Sequence, residues 1–351
     1  MGEGESGRGG EWERGRSDTW LIYALGGGWG HLTRALALGR IAALYCSVKI
    51  VTNSPYFFYL QDKLEVGCQV EAISADAGLS ATCDRVQEVL QDCYSCLIVD
   101  TFPRGLGGEL AEVLPHLTIP RILIHRDITP SYVRVKSLHS FVLQHFDVVV
   151  VPGEGKDLPL ADLPIVKHTA PWLIRSATEL PDLMQARILL KLPNTSPFAS
   201  TIVVCAAGRT SELEFFAEVA IALTSNFPTT AVRLLSPRCP RGFPASLWIS
   251  HWPGIECLRA ANIVVGGAGY NLVAECTALG IPLVAFALPR LYDRQEQRAC
   301  QRCYWVRSLG EALAAAGKLL NCGQTGVPNP VTYVNGAVEA QAIVAQVQPL
   351  I

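Results

Sequence analysis

From position 263 the chain reads Ile-Val-Val-Gly-Gly-Ala-Gly-Tyr-Asn-Leu-Val-Ala-Glu275, a run whose residue types suit an anion with a sugar beside it. An apolar strand passes into a glycine turn that opens a helix, and an acid follows one to two turns inside. Glycines let backbone N–H groups come close to a ligand, and a helix N-terminus adds partial positive charge, so a phosphate is favoured there. Glu275 could accept hydrogen bonds from ribose hydroxyls just beyond. The combination suits a nucleoside diphosphate held without a P-loop lysine. The alternative is a turn that serves packing alone, as such turns do throughout α/β proteins. Against that stands the acid. Between residues 260 and 289 it is the only charged residue, and a carboxylate in so apolar a segment is rarely left unpaired.

A second cluster lies near the other end: Leu25-Gly-Gly-Gly28-Trp-Gly30-His31-Leu-Thr-Arg34. Four glycines in five positions after a strand free the backbone to pass close to a ligand. His31 would open the following helix, at the tip of a loop where site residues concentrate. It could remove a proton from an incoming hydroxyl or hydrogen-bond an acceptor phosphate, and a helix N-terminus would keep it neutral. A capping or surface histidine is the bland reading. Asp100, in Val99-Asp-Thr-Phe-Pro-Arg-Gly-Leu-Gly-Gly-Glu109, ends another strand on the same edge. Either it orients His31 or holds an acceptor, or it caps the next helix. His125-Arg-Asp127 closes a further strand in the same way, with less to set it apart.

Elements that must position these residues alternate along the chain. Strands are expected at 20–25, 47–52, 95–99, 121–125 and 148–151, with helices near 32–44 and 83–91. Apolar periodicity fades between 159 and 181, which reads as a linker. The rhythm restarts with a β-branched strand at 200–206, then Ala207-Gly-Arg-Thr210 and a helix at 211–224. Strands at 232–235, 263–265 and 283–286 continue it, and 308–320 and 337–347 look helical. Strand–helix alternation implies parallel sheets with right-handed crossovers. The expected organisation is a tail at 1–18, one α/β domain at 19–170 and another at 171–345. Their carboxyl edges would bound a cleft.

Bulk properties agree with that layout. The 351 residues suffice for two ordinary domains, half are hydrophobic and 17% are charged, which favours sheets covered on both faces. Six glycines and eight charges in residues 1–18 predict a disordered tail. A net charge of −2 leaves no footprint for nucleic acid. The 12 cysteines are scattered behind no signal peptide, fitting reduced thiols in a cytoplasmic protein. Two Cys-x-x-Cys pairs, Cys93/Cys96 and Cys300/Cys303, lack glycine-rich knuckles, so inert thiols are the better reading than zinc ligands. Gly266, Gly267, Gly269, Gly280 and Pro282 cut residues 260–289 into pieces too short to cross a membrane. A peripheral membrane contact stays open, because composition does not exclude an apolar surface patch.

These motifs together resemble a known group. The loop Gly26-Gly-Gly-Trp-Gly-His31 looks like the glycine–histidine loop of GT-B glycosyltransferases. The nearest in pattern are the family 28-like enzymes: the peptidoglycan enzyme that adds N-acetylglucosamine to lipid I, and the monogalactosyldiacylglycerol synthases. Gly266-Gly-Ala-Gly-Tyr-Asn-Leu-Val-Ala-Glu275 resembles their donor-binding helix start. Asp293-Arg-Gln-Glu-Gln297 is similar to the acid–arginine–glutamine run that follows it. The three motifs stand in order from Trp20 onward.

The resemblance implies two Rossmann-like domains and an inverting, metal-independent hexosyltransferase with a UDP-sugar as donor and no separate cofactor. Gly267, Ala268 and Gly269 would present N–H groups to the diphosphate, Arg175 would approach it, and Glu275 would hold the ribose. Gln295 and Glu296 would contact the donor sugar. Gly28, Gly30 and His31 would face the acceptor, a glycan or lipid-linked hydroxyl, with His31 and Asp100 as the catalytic pair. The chain departs from the family at Gly28-Trp-Gly-His31, at Glu296 and in Ala206-Ala-Gly-Arg-Thr210, differences that bear on donor sugar and acceptor rather than on fold. A UDP-sugar hydrolase or epimerase shares this cleft and loop and is the second reading. A binding subunit that needs a partner chain is the third, weakened because both halves lie in one chain.

Overall fold

A computed structural model describes residues 18–60, 64, 66–153, 158–192, 200–207, 209–322 and 331–347. The expected tail therefore lies outside the described residues except for Asp18, as does the glycine at 208. The N-terminal half carries β1 (Thr19–Tyr23), α1 (Trp29–Ala42), β2 (Ser47–Thr52), β3 (Cys68–Ala72), α2 (Leu79–Val89) and β4 (Cys96–Asp100). After these come α3 (Glu109–Val113), β5 (Arg121–Ile124), α4 (Pro130–Val135), α5 (Leu138–His145), β6 (Val148–Pro152) and β7 (Val166–Thr169). All seven strands pair in parallel in the order β3-β2-β1-β4-β5-β6-β7. Every residue of β4 and β6 is buried, as a strand covered by helices on both faces requires.

The C-terminal half repeats the plan. It holds α6 (Leu183–Leu189), β8 (Ser200–Cys205), α7 (Thr210–Asn226), β9 (Thr230–Leu235), β10 (Trp248–Ile249) and α8 (Gly254–Leu258). Then follow β11 (Ile263–Gly267), α9 (Tyr270–Leu279), β12 (Leu283–Phe286), α10 (Gln295–Arg302), β13 (Tyr304–Val306), α11 (Leu309–Asn321) and α12 (Gly336–Val347). Its sheet, again all parallel, runs β10-β9-β8-β11-β12-β13. In each sheet the strand order reverses once near the middle, between β1 and β4 and between β8 and β11. The loops leaving those strands diverge and open a crevice at the carboxyl edge, where ligands bind in open α/β sheets.

Two expectations about organisation need correction. The stretch read as a linker contains β7, an edge strand of Val-Lys-His-Thr with no apolar alternation because only one side of it is paired. The last helix, placed by sequence order in the second domain, packs instead on α1, β6 and β7 of the first. Its Ala337, Ala340 and Val344 share one buried cluster with Ala35, Leu36 and Leu38 of α1 and with Trp172–Ile174 of the crossing segment. Asn335 fixes the return by bonding both the N–H and the carbonyl of Leu173.

Gly336 makes that return possible. A Cβ there would stand 1.8 Å from the backbone oxygen of Ala170 and 2.5 Å from its carbonyl carbon, so backbone rather than a flexible side chain would have to move. We expect Gly336→Ala to lower unfolding free energy by about 2 kcal/mol or more, read as a fall in denaturant midpoint at unchanged m-value. An unchanged midpoint would show that the crossing segment yields.

Candidate functional site

The two crevices face each other across one cavity of about 810 Å³, within the range of small-molecule sites. Its first wall is the loop between β1 and α1. The N–H groups of Gly26 and Gly27 both donate to Asn53 Oδ1 at 2.9 Å, which clamps the loop to the end of β2. Gly26 has φ +151°, and a Cβ on it would lie 2.4 Å from the His31 ring. The glycine is therefore the seat of the imidazole. Gly26→Ala is expected to displace His31 and lower both melting temperature and turnover, whereas Gly27→Ala meets no atom and should cost only the strain of its φ of +69°.

His31 lies in the first turn of α1, and its Nδ1 is 2.7 Å from Asp100 Oδ2. Asp100, fully buried, also accepts from Arg34 Nε at 3.2 Å and Arg34 Nη2 at 2.7 Å. Of the two sequence readings for Asp100, the geometry gives the partner of His31; it makes no helix cap. Burial alone would push the Asp100 carboxyl up, but the Arg34 guanidinium and His31 outweigh it and hold the group well below the usual carboxylate range. An ionised Asp100 can only accept, so Nδ1–H donates to it and the Nε2 lone pair is left as the base. Burial lowers the His31 pKa, Asp100 opposes, and Arg34 and Arg126 add to the fall. Phe102 stacks on the ring at 5.5 Å. Gly28 and Gly30 line the cavity beside it.

The opposite wall is the turn from β11 into α9. Gly267, Gly269, Tyr270, Asn271, Leu272 and Glu275 line the cavity. Ala268 does not present its N–H there. That N–H donates to Phe286 O at 2.8 Å and its carbonyl accepts from Arg298 Nη1, so sheet pairing persists one residue past the strand. α9 opens at this wall, and the first-turn N–H groups of a helix have no acceptor within the helix itself. Glu275 accepts no hydrogen bond from any described residue, and burial pushes its carboxyl up to about 8. The apolar segment supplies no partner.

Two expected contacts are not at the cavity wall. Arg175 pairs through Nε with Glu256 Oε1 at 2.8 Å, and Glu256 in turn binds His251 at 2.8 Å. Its guanidinium supports the loop that carries His251 and Trp252 rather than facing the cavity. Glu296 is exposed, one residue and thus about 100° round α10 from Gln295. Gln295 does line the cavity, accepting from Leu288 N–H at 3.1 Å while its amide reaches Asp293. Of the two acids in the 293–297 run, Asp293 is the one that lines the cavity.

Other lining groups went unread in the sequence. Ser236 and Pro237 after β9, with Ser250 to Gly254 after β10, floor the cavity beyond Glu275. Trp29 stacks on Tyr56 at 4.8 Å on the histidine side. Ion pairs tie the halves together across the rim: Asp127 with Arg294 and with Arg298 (3.3 Å), and Arg126 with Asp293 (3.8 Å). Thr129 N–H donates to Tyr292 O at 2.9 Å beside them. Arg34 went unread too, although a residue three beyond His31 shares its helix face. Among the described residues no group of three or more His, Cys, Asp or Glu is placed to hold a metal ion, and no helix is long and apolar enough to cross a membrane.

The sequence matches no protein-family model and no curated protein. Solved structures do match in fold. A kitacinnamycin glycotransferase superposes with TM-score 0.60 at 14% identity over 95% of this chain and 100% of its own. A UDP-glucosyltransferase from Polygonum tinctorium gives 0.61 at 13%, over 95% and 99%. MurG of Acinetobacter baumannii gives 0.56 at 12%, over 94% and 99%. The architecture expected from the motifs, two Rossmann-like domains in a GT-B arrangement, is the one present.

Proposed function

We propose that the chain is an inverting glycosyltransferase that moves a hexosyl group, N-acetylglucosaminyl being one candidate, from a UDP-sugar to a hydroxyl acceptor. The observation that carries this reading is the His31–Asp100 pair facing an unpartnered Glu275 across one cavity, each set at a sheet's switch point. The C-terminal half is the donor side. The first-turn N–H groups of α9 and its dipole receive the diphosphate, Glu275 takes the ribose hydroxyls, and the base lies toward Ser250 to Gly254. Gln295 and Asp293 stand where sugar hydroxyls would reach.

On the N-terminal, acceptor side, His31 Nε2 removes the proton of the attacking hydroxyl. The new bond forms at the anomeric carbon as the bond to the UDP β-phosphate oxygen breaks, the electron pair leaving with UDP. Attack from the wall opposite the departing group inverts the carbon. Leaving charge is met by the α9 N-terminus, so the step as written uses no metal. A glycan or a lipid-linked hydroxyl would lie along Trp29, Tyr56, Phe102 and Leu106, and a lipid-linked one implies contact with a membrane surface.

The test is to incubate purified protein with UDP-sugars and follow UDP and free sugar. Slow UDP release that a glycan or lipid extract accelerates, with transfer to a new product, is the expected result. Rapid stoichiometric hydrolysis without acceptor would replace this reading by the UDP-sugar hydrolase one.

A further inference from the structure

Arg34 is placed where a His–Asp pair has no need of it. Its side chain is 1% exposed, yet it lines the cavity, and it spends three contacts on one carboxylate and its neighbour: Nε and Nη2 on the two oxygens of Asp100, and Nη2 on Thr101 Oγ1 at 3.4 Å. The same Nη2 stands 3.4 Å from His31 Nδ1. An ionised Asp100 at 2.7 Å accepts only, so Nδ1 carries the proton it donates there and has no lone pair left for a second donor. The guanidinium therefore does not hydrogen-bond the imidazole; it competes with it for the same carboxylate.

A carboxylate alone against a histidine stabilises imidazolium and raises its pKa, so less of the ring is neutral with a free lone pair near neutral pH. With a fixed cation on both of its oxygens, the carboxylate still orients Nδ1–H but no longer presents a full uncompensated charge. Burial is the largest influence lowering the His31 pKa; of the charged groups facing the ring, Asp100 from β4 raises it, while Arg34 from its own helix and Arg126 from the segment after β5 work against Asp100 and favour the neutral ring. Arg34 is held by α1 itself, three residues beyond His31, so base and counter-cation move together.

We propose that Arg34 is a positioning residue for His31: by occupying both oxygens of Asp100 it keeps the imidazole neutral in the Nδ1–H tautomer, with Nε2 free to take a proton. The proposal rests on the reading of His31 as the base, but its physical content is independent of any substrate. The chemistry makes the site an arginine–aspartate–histidine array in place of a two-residue pair.

NMR of ring-labelled protein without substrate tests it. In the wild type His31 is expected in the Nδ1–H tautomer and to protonate below the ordinary value of about 6.5. In Arg34→Gln, which keeps a donor to Asp100 but no charge, its titration is expected to move up by roughly one unit or more. Arg34→Lys should restore most of the downward displacement. A wild-type His31 that titrates at or above 6.5, or is protonated on Nε2 when neutral, overturns the proposal whatever the variants do. So does an unmoved titration in a folded Arg34→Gln. If the array behaves as stated but UDP-sugars are not turned over, the glycosyltransferase reading fails and the role of Arg34 stands. In active protein, the acid limb of kcat/KM should follow the same displacement, which loss of packing alone would not produce.

Discussion

Replacing His31 with Ala is expected to lower kcat by about 10²–10⁴-fold while UDP affinity changes by less than about twofold. The split follows from geometry. His31 sits on the β1–α1 wall with Asp100, Arg34 and Phe102, and none of its contacts belongs to the α9 turn or to the floor at Ser250 to Gly254. Removing it takes away the proton acceptor for the attacking hydroxyl and leaves the groups assigned to the nucleotide untouched. A 10²–10⁴-fold loss corresponds to about 3–5 kcal/mol of transition-state stabilisation, the size of a general-base contribution. Single-turnover kinetics at saturating donor, with UDP affinity by calorimetry, separates the two quantities. Equal losses in both would make His31 a binding residue, and unchanged turnover would remove it from the reaction.

The pH dependence has a definite sign. His31 acts when neutral, and burial, Arg34 and Arg126 keep its pKa below that of free imidazole despite Asp100. Activity should hold as pH falls through the ordinary histidine range and drop only below it. Asp100→Asn should lower turnover for a further reason. An amide can donate to Nδ1, which turns the ring into the wrong tautomer and leaves the Arg34 charge buried without its partner.

Why some of this was legible in the chain and some not comes down to what each residue depends on. Glu275 stood out because local composition suffices: one charge in thirty apolar-rich residues needs a reason wherever it folds. His31 and the glycines before it are fixed by local backbone geometry, and the clash a Cβ at Gly26 would make with the ring is the physical form of that signal. Asp100 could be placed on the right edge but not given a partner, since β1 and β4 become neighbours only through the sheet order. Arg175 went astray for the same reason, its partner Glu256 lying 81 residues on. Ala268 and Glu296 were lost to single-residue geometry: a strand bond that persists one residue longer, and a helix that turns about 100° per step. The edge strands β3, β7, β10 and β13 are short or half-polar and carry no period to read, and nothing local in residues 336–347 says that they return to the first sheet.

Glu275→Gln is expected to weaken UDP binding and, at alkaline pH, to make the protein more stable. Both effects come from one fact: an unpartnered carboxylate held among apolar residues, its pKa pushed up to about 8 by burial. The unfolded group titrates near 4.3, so between about 4.3 and about 8 the folded state keeps a proton that the unfolded state has released. Stability therefore falls as pH rises through that window. At pH 8.5 the wild type bears the strain of a desolvated charge and Gln does not, an advantage of about 1–3 kcal/mol for the variant once access of water to the cavity is allowed for. Near pH 4.5 the two should melt together. The function that offsets this cost is ribose recognition: two hydroxyls donating to the carboxylate favour its charged form, so UDP binding near neutral pH should release a proton. Calorimetry in buffers of differing ionisation enthalpy reads that release directly. Gln keeps the shape and loses the charge, and a loss of about 1–3 kcal/mol in UDP affinity, roughly 5- to 150-fold, is expected together with loss of the proton signal. Unchanged affinity would take Glu275 out of the donor site. A variant less stable than wild type at every pH would mean that the carboxylate serves the fold, and that the apolar helix around it had found it a partner after all.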